Sequence, residues 1–115
     1  MSLPNRGRGV RCARIERTVA EVMECELLPS LEDPNLTDLH VVGVEVTNNL
    51  ACVRVSVCPG STGGPRDANA VCEALIRAEN RLRMELAEAV RMKRVPVLRL
   101  TFIPLAIWAQ PGGDA

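Results

Sequence analysis

The stretch "LHVVGVEVTNNLACVRVSV", Leu39–Val57, decides the fold. It is rich in valine, and apolar and polar positions alternate along it. A period of two is the mark of a strand with one buried face. In the first half Val42, Val44 and Val46 fall on one side, and Val41, Gly43 and Glu45 on the other. In the second half Ala51, Val53, Val55 and Val57 share a face, opposite Cys52, Arg54 and Ser56. Between the halves stands "TNNL", where Asn48 or Asn49 can supply a left-handed backbone. Two alternating strands about a short polar turn predict a β-hairpin buried on one side.

Outward from the hairpin the period changes. Upstream, Ile15, Val19, Val22, Met23 and Leu27 recur at helical spacing, with Arg14, Arg17, Glu21 and Glu24 on the opposite, solvated side. Pro29, or the residue before it, ends this helix. "LEDPNLTDLH" is turn chemistry leading into the hairpin. Downstream, "CPGSTGGPRD" is a loop, and Asp67 is an N-cap for a long second helical region reaching Met92. Val71, Leu75, Ala78, Leu82, Leu86 and Ala89 make its apolar stripe. Spacing through Ala78 permits one straight helix, while Glu79-Asn80 in its middle permits a break into two, because Asn is a poor interior helix residue that tolerates left-handed angles. Pro96 stops the helix, and "PVLRLTFI" alternates again, with Leu98, Leu100 and Phe102 inward and Arg99 and Thr101 outward. A three-stranded sheet with one buried face needs helices to cover it, which predicts a two-layer α+β domain. Residues 1–10 read as a flexible basic arm, 11–104 as the domain and 105–115 as a frayed tail.

The chain has 115 residues and no net charge. That size fits one domain. No apolar run is long enough to cross a bilayer, and arginines interrupt any secretory h-region, so a cytoplasmic protein, or one from an organelle matrix, is expected. Five cysteines with no C-x-x-C pair predict free thiols in a reducing compartment, without a metal site. Phe102 and Trp108 are the only aromatics, which argues against recognition by base stacking on rings.

The neutral total hides a separation of charge. Met1–Arg17 carries five arginines against Glu16. Arg77–Arg99 carries seven basic residues against Glu79, Glu85 and Glu88. Such blocks give one face of a neutral molecule an attraction for polyanions. "GSTGGPRD" lacks the Lys-Ser/Thr ending of a phosphate-cradling loop. His40 is the only histidine, with no partner at ligand or triad spacing, and the helix carboxylates read as charge balance. An enzyme, a cofactor and a small-molecule substrate are therefore not expected. Arg77 and Arg81 share a helix face, Arg91, Lys93 and Arg94 cluster at the helix end, and Arg54 and Arg99 lie on the outward face of the sheet. Macrodipole balance and an Arg81–Glu85 pair explain part of this pattern. Cations from distant segments facing solvent favour a nucleic-acid surface over a protein–protein adaptor.

"RIERTVAEVMECELLPSLEDPNL", "VEVTNNLACVRVSV" and "IRAENRLRMELAEAVRMKRVPVLRL" together resemble the ribosome-binding factor A family, most specifically in "DPNL" and "RVPVLRL". The resemblance implies a KH-like fold of the second type, in the order helix-strand-strand-helix-helix-strand. It implies an Ala-x-Gly kink between the last two helices, matched here by Ala78, Glu79 and Asn80, with Asn where Gly is usual. The family's Arg after Asp-Pro is Asn35 here, its Asp before Leu in the hairpin turn is Asn49, and its acidic-Ser motif after the last strand is missing. The resemblance further implies a non-catalytic, monomeric assembly factor, without cofactor, that binds rRNA of the small ribosomal subunit. The expected contact surface is Arg77, Arg81, Arg83, Arg91, Lys93 and Arg94 with Ala78 and Asn80 at the kink, and Arg14, Arg17, Arg54 and Arg99 beside it.

Overall fold

The structure, a computed structural model, describes residues 9–47, 49–60 and 66–104. The predicted tail and the first eight residues of the predicted arm lie outside them, as does half of the glycine-rich loop, residues 61–65. Helix α1 spans Gly9–Val22, strand β1 Leu39–Val46, strand β2 Cys52–Pro59, helix α2 Ala68–Ala89 and strand β3 Val97–Phe102. The α+β expectation holds: two helices cover one face of a three-stranded sheet ordered β1-β2-β3. Strands β1 and β2 pair antiparallel as the expected hairpin. Strands β2 and β3 pair parallel, so α2 is the crossover between them.

The core follows the predicted stripes except at Ala51 and Ala89, which are exposed; of the alanines on α2 it is Ala74 and Ala87 that are buried. Val53, Val55 and Val57 of β2 are fully buried, flanked by Val19 and Met23 of α1 and by Leu75, Leu82 and Leu86 of α2. Leu98, Leu100 and Phe102 of β3 face the same layer, with Arg99 and Thr101 exposed. The first strand departs from simple alternation. Register shifts between Val41 and Gly43, leaving Val42 as a bulged extra residue. Val41 therefore packs on the core with Val44 and Val46, where Val42 was expected.

The first helix does not stop at its proline. It widens into a π-helical turn over Met23–Leu27 and tightens into a 3₁₀ turn over Leu28–Ser30. Pro29 sits early in that last turn, where its missing N–H is no loss. The wide turn buries both Leu27 and Leu28 and brings Glu24 against β1. Glu24 is thus half-buried against the sheet edge, not on the fully solvated side where the sequence places it.

Helix α2 is continuous. It begins on Asp67, whose carboxylate accepts from the backbone N–H groups of Asn69 and Ala70. It runs without interruption through Ala78, Glu79 and Asn80, and none of these has a positive φ. The two helices and the junction implied by the family resemblance are here one helix of 22 residues. Glu79 has a different task. Its Oε2 accepts from the backbone N–H of Leu100 at 2.9 Å, on the side of β3 turned away from β2. The same device closes the other edge of the sheet. Glu24 Oε1 accepts from the N–H of Val41 at 2.6 Å, and Glu16 Oε2 from that of Val46 at 2.9 Å. Three helix carboxylates thus occupy free donors on both edge strands, positions that otherwise invite another strand.

Among the described residues, three that are not glycine have left-handed backbones: Asp38 (φ 53), Leu50 (φ 60) and Arg91 (φ 59). In the hairpin turn it is Leu50, not Asn49, that turns left-handed; Asn48 lies outside the described residues. Asn49 instead uses its Oδ1 to accept from the N–H of Ala51 and the hydroxyl of Thr47. Arg91 closes α2. Met92 N–H donates to Ala87 O at 2.8 Å and Arg91 N–H to Glu88 O at 3.2 Å, a Schellman arrangement with Arg where Gly is preferred. Arg91→Gly is expected to stabilise the fold by about 1 kcal/mol by removing that strain. Thermal unfolding checks this, and a lower melting temperature in the variant would contradict it.

Candidate nucleic-acid interface

The α2–β3 connection, the hairpin turn and the first turns of α1 meet at one end of the sheet. Between them lies a cleft of about 610 Å³. Arg91, Lys93 and Arg94 line it from the connection and Arg11 from α1. All four are exposed, and none forms an ion pair with a described residue. No carboxylate stands among the described residues of its wall. Its floor is apolar, built from Ile15, Leu50, Val90, Met92, Val95, Pro96 and Val97. Four unneutralised cations around a concave surface concentrate positive potential there.

The remaining expected contact residues divide. Arg54 and Arg99 are register partners on the outer face of the sheet, and Glu45, opposite Arg54 on β1, lies 3.8 Å from its guanidinium. They stand two register pairs beyond Cys52 and Val97, on the same face of the sheet as Val97, which lines the cleft. Arg14 and Arg17 are exposed on α1, following Arg11 at successive turns. Arg77 and Arg81 are committed elsewhere. Arg77 reaches Asp33 at 3.3 Å and ties α2 to the "DPNL" turn, whose Asp33 also caps Asn35 N–H at 2.9 Å. The Asn35 bond, with help from Arg77, holds the Asp33 carboxyl below its usual range. Arg81 pairs with Glu85 at 3.0 Å. Arg83 bends back, donating to Asn80 Oδ1 at 3.2 Å and to Pro96 O at 3.5 Å. Ala78 packs on the core and Asn80 is exposed. The structure therefore gathers Arg91, Lys93 and Arg94, and it adds Arg11, which belongs to the basic N-terminal run of the sequence but not to the expected contact residues. Only the tertiary meeting of α1 with the α2–β3 connection marks Arg11 out.

His40 forms a separate cluster at the far end of β1. Its Nδ1 lies 2.8 Å from Glu24 Oε2 and its Nε2 3.0 Å from Asp38 Oδ1. Ionised carboxylates only accept, so this geometry favours the imidazolium, in which both ring nitrogens donate. The bonds to Glu24 and then Asp38 raise its pKa above 6.5, against a smaller opposing effect of burial. For Glu24, burial pushes upward, but the Val41 N–H and the His40 bond together bring its pKa below 4.5. A raised histidine pKa adds stability below pH 6.5 that is lost as pH rises through the folded value; a lowered Glu pKa adds stability above 4.5 that is lost as pH falls. Stability is expected to be greatest in the window between, with both groups charged. Melting temperatures across that range check it: His40→Gln should flatten the alkaline limb, and an unchanged limb would contradict the assignment.

Among the described residues, no helix is long and apolar enough to cross a membrane. All five cysteines are free thiols; Cys12 and Cys58 are buried, the former on the core side of α1. The family model described as ribosome-binding factor A matches residues 11–103. A ribosome-binding factor A from Roseiflexus castenholzii is 39% identical over 87 residues, covering 75% of this chain and 62% of the relative. The chain thus spans somewhat less than two-thirds of that protein's length. One from Thermus thermophilus is 36% identical over 92 residues, covering 80% of this chain and 84% of the relative. The crystal structure of ribosome-binding factor A from Thermus thermophilus superposes with a TM-score of 0.65 at 34% identity, over 81% of this chain and 94% of that one. A homology model of the Thermus thermophilus factor, fitted into a cryo-EM map of its complex with 30S, gives a TM-score of 0.54 at 35% identity, over 87% and 94% of the two chains.

Proposed function

The chain belongs to the ribosome-binding factor A family, and on that premise we propose that it binds rRNA of the small ribosomal subunit during assembly, as a non-catalytic cytoplasmic monomer. The observation that carries this reading is the cleft with Arg11, Arg91, Lys93 and Arg94 on its rim and no carboxylate in its described wall. Guanidinium and ammonium groups at such a rim contact phosphates, and phosphate contacts position a protein without reading bases. Arg54 and Arg99 extend the track over the open sheet face, with Arg14 and Arg17 beside it along α1. Arg77, Arg81 and Arg83 contribute less, because each already holds an acceptor of the fold. The fitted Thermus complex supports the choice of 30S as partner. The capped edges of the sheet disfavour an adaptor role through strand addition.

Co-sedimentation tests the proposal. The chain is expected to travel with free small subunits and not with assembled ribosomes. Its affinity should fall with salt at a log–log slope of about −0.7 per phosphate contact on single-stranded RNA. Binding that is insensitive to salt would overturn it.

A further inference from the structure

We infer that the apolar floor of the cleft holds one unstacked nucleobase of the bound RNA, with its flanking phosphates on the cationic rim. This deepens the RNA-binding reading and rests on it. A surface that only held phosphates would need no apolar floor. Here Val95 and Val97 are 41% and 44% exposed, among the most exposed large apolar side chains described, and both line the cleft. Ile15, Leu50 and Met92 complete the floor. A volume of about 610 Å³ lies within the ~300–1,000 Å³ of sites that take small organic groups.

The backbone gives a second, independent observation. Two of the three left-handed non-glycine residues among those described, Leu50 of the hairpin turn and Arg91 of the α2–β3 connection, line this cleft. Glycine or asparagine would relieve each position, and an Asn lies immediately before Leu50. Strain of this kind concentrates at binding sites, where the side chain is needed despite its backbone cost. Leu50 brings an aliphatic surface to the lining and Arg91 a charge. No described aromatic residue lines the cleft, so the base is enclosed between aliphatic side chains and guanidinium planes.

The test compares three measurements on the full chain. A single-stranded RNA oligonucleotide from the small-subunit rRNA, selected for binding, is titrated alongside copies carrying one abasic site at successive positions. One position is expected to lose about fivefold or more in affinity, the low end for one enclosed base. Leu50→Asn, which suits the left-handed backbone, should lose a similar factor on the intact RNA and no longer distinguish the abasic copy. Because Leu50 also touches the core, Val95→Thr/Val97→Thr, isosteric and exposed, provides the same comparison with little risk to folding. In both variants the salt slope should stay as in the parent, because no cation is removed. Free 5′-AMP, the other source of the same chemistry, should compete only at millimolar levels. Equal affinity for every abasic copy, or unchanged binding by both variants, would overturn the base pocket while the steep salt slope left the RNA reading intact. Tight saturation by AMP would overturn it in favour of a free-nucleotide site. Salt-insensitive binding to small subunits that the apolar variants abolish would overturn it in favour of a protein segment, together with the RNA reading.

Discussion

Replacing Arg91 and Lys93 together by Glu is expected to abolish small-subunit binding while the fold survives. Both side chains are exposed on the α2–β3 connection, and neither is in an ion pair with a described residue. Each substitution removes an attraction to phosphate and installs a repulsion at the same place. Like charges juxtaposed at an interface cost several kcal/mol, so affinity should fall by at least about a hundredfold. Two lost phosphate contacts should also make the salt slope about 1.4 units shallower. Stability should fall only modestly, by about 0.3–1 kcal/mol for each charge exchanged beside the C-terminal end of α2, since position 91 keeps a non-glycine residue in the left-handed cap as before. Arg81→Ala is the contrast. It removes an exposed helix pair with Glu85, worth about 0.3–0.5 kcal/mol, and should leave binding nearly intact. Filter binding or co-sedimentation, with thermal melts as control, reads all three. A double variant that binds like its parent would remove the cleft from consideration.

Glu79→Ala is expected to carry the largest stability loss of any polar substitution on α2. The carboxylate takes the half-buried N–H of Leu100 at 2.9 Å. Removing it leaves that donor without its charged acceptor, a loss of about 1.5–3 kcal/mol. It also uncovers the outer edge of β3, so the variant should aggregate more readily as concentration rises. Glu79→Gln keeps an acceptor and should lose roughly half as much. The neighbouring Asn80→Ala separates the two readings of this segment. In a continuous helix Ala is the better residue, so the change should be neutral or stabilising by up to about 0.7 kcal/mol. At a left-handed helix junction it would destabilise instead. Chemical denaturation distinguishes these outcomes, and a Glu79→Ala chain as stable as its parent would show that the edge cap contributes nothing.

Much of this architecture is legible because burial imposes a period. Val53, Val55 and Val57, and the stripe from Leu75 through Leu82 to Leu86, are spaced as a strand and a helix must be to share one core. The bulge is not legible. "VVGV" offers valine on both faces, so nothing local says whether Val41 or Val42 turns inward; pairing with β2 decides it. At Glu79-Asn80 the spacing leaves one helix or a break open, and only the family resemblance, by implying a kink, chooses the break; the acceptor role of Glu79 depends on a strand residue 21 positions away. The Arg81–Glu85 pair is visible at i,i+4 spacing, whereas Arg77–Asp33 joins residues 44 apart and needs the fold. Arg11 and Leu50 enter the candidate site only through tertiary contact between segments that no spacing connects.

RNA binding of this kind requires that the strand lie across one end of the sheet. Hydrogen–deuterium exchange on the chain bound to free small subunits addresses this directly. Protection should concentrate on residues 49–51 and 90–97 and on the first turns of α1, extending to the outer strand positions around Arg54 and Arg99. Protection centred on the exposed face of α2 around Arg77 and Arg81, with the cleft exchanging as in the free chain, would contradict it.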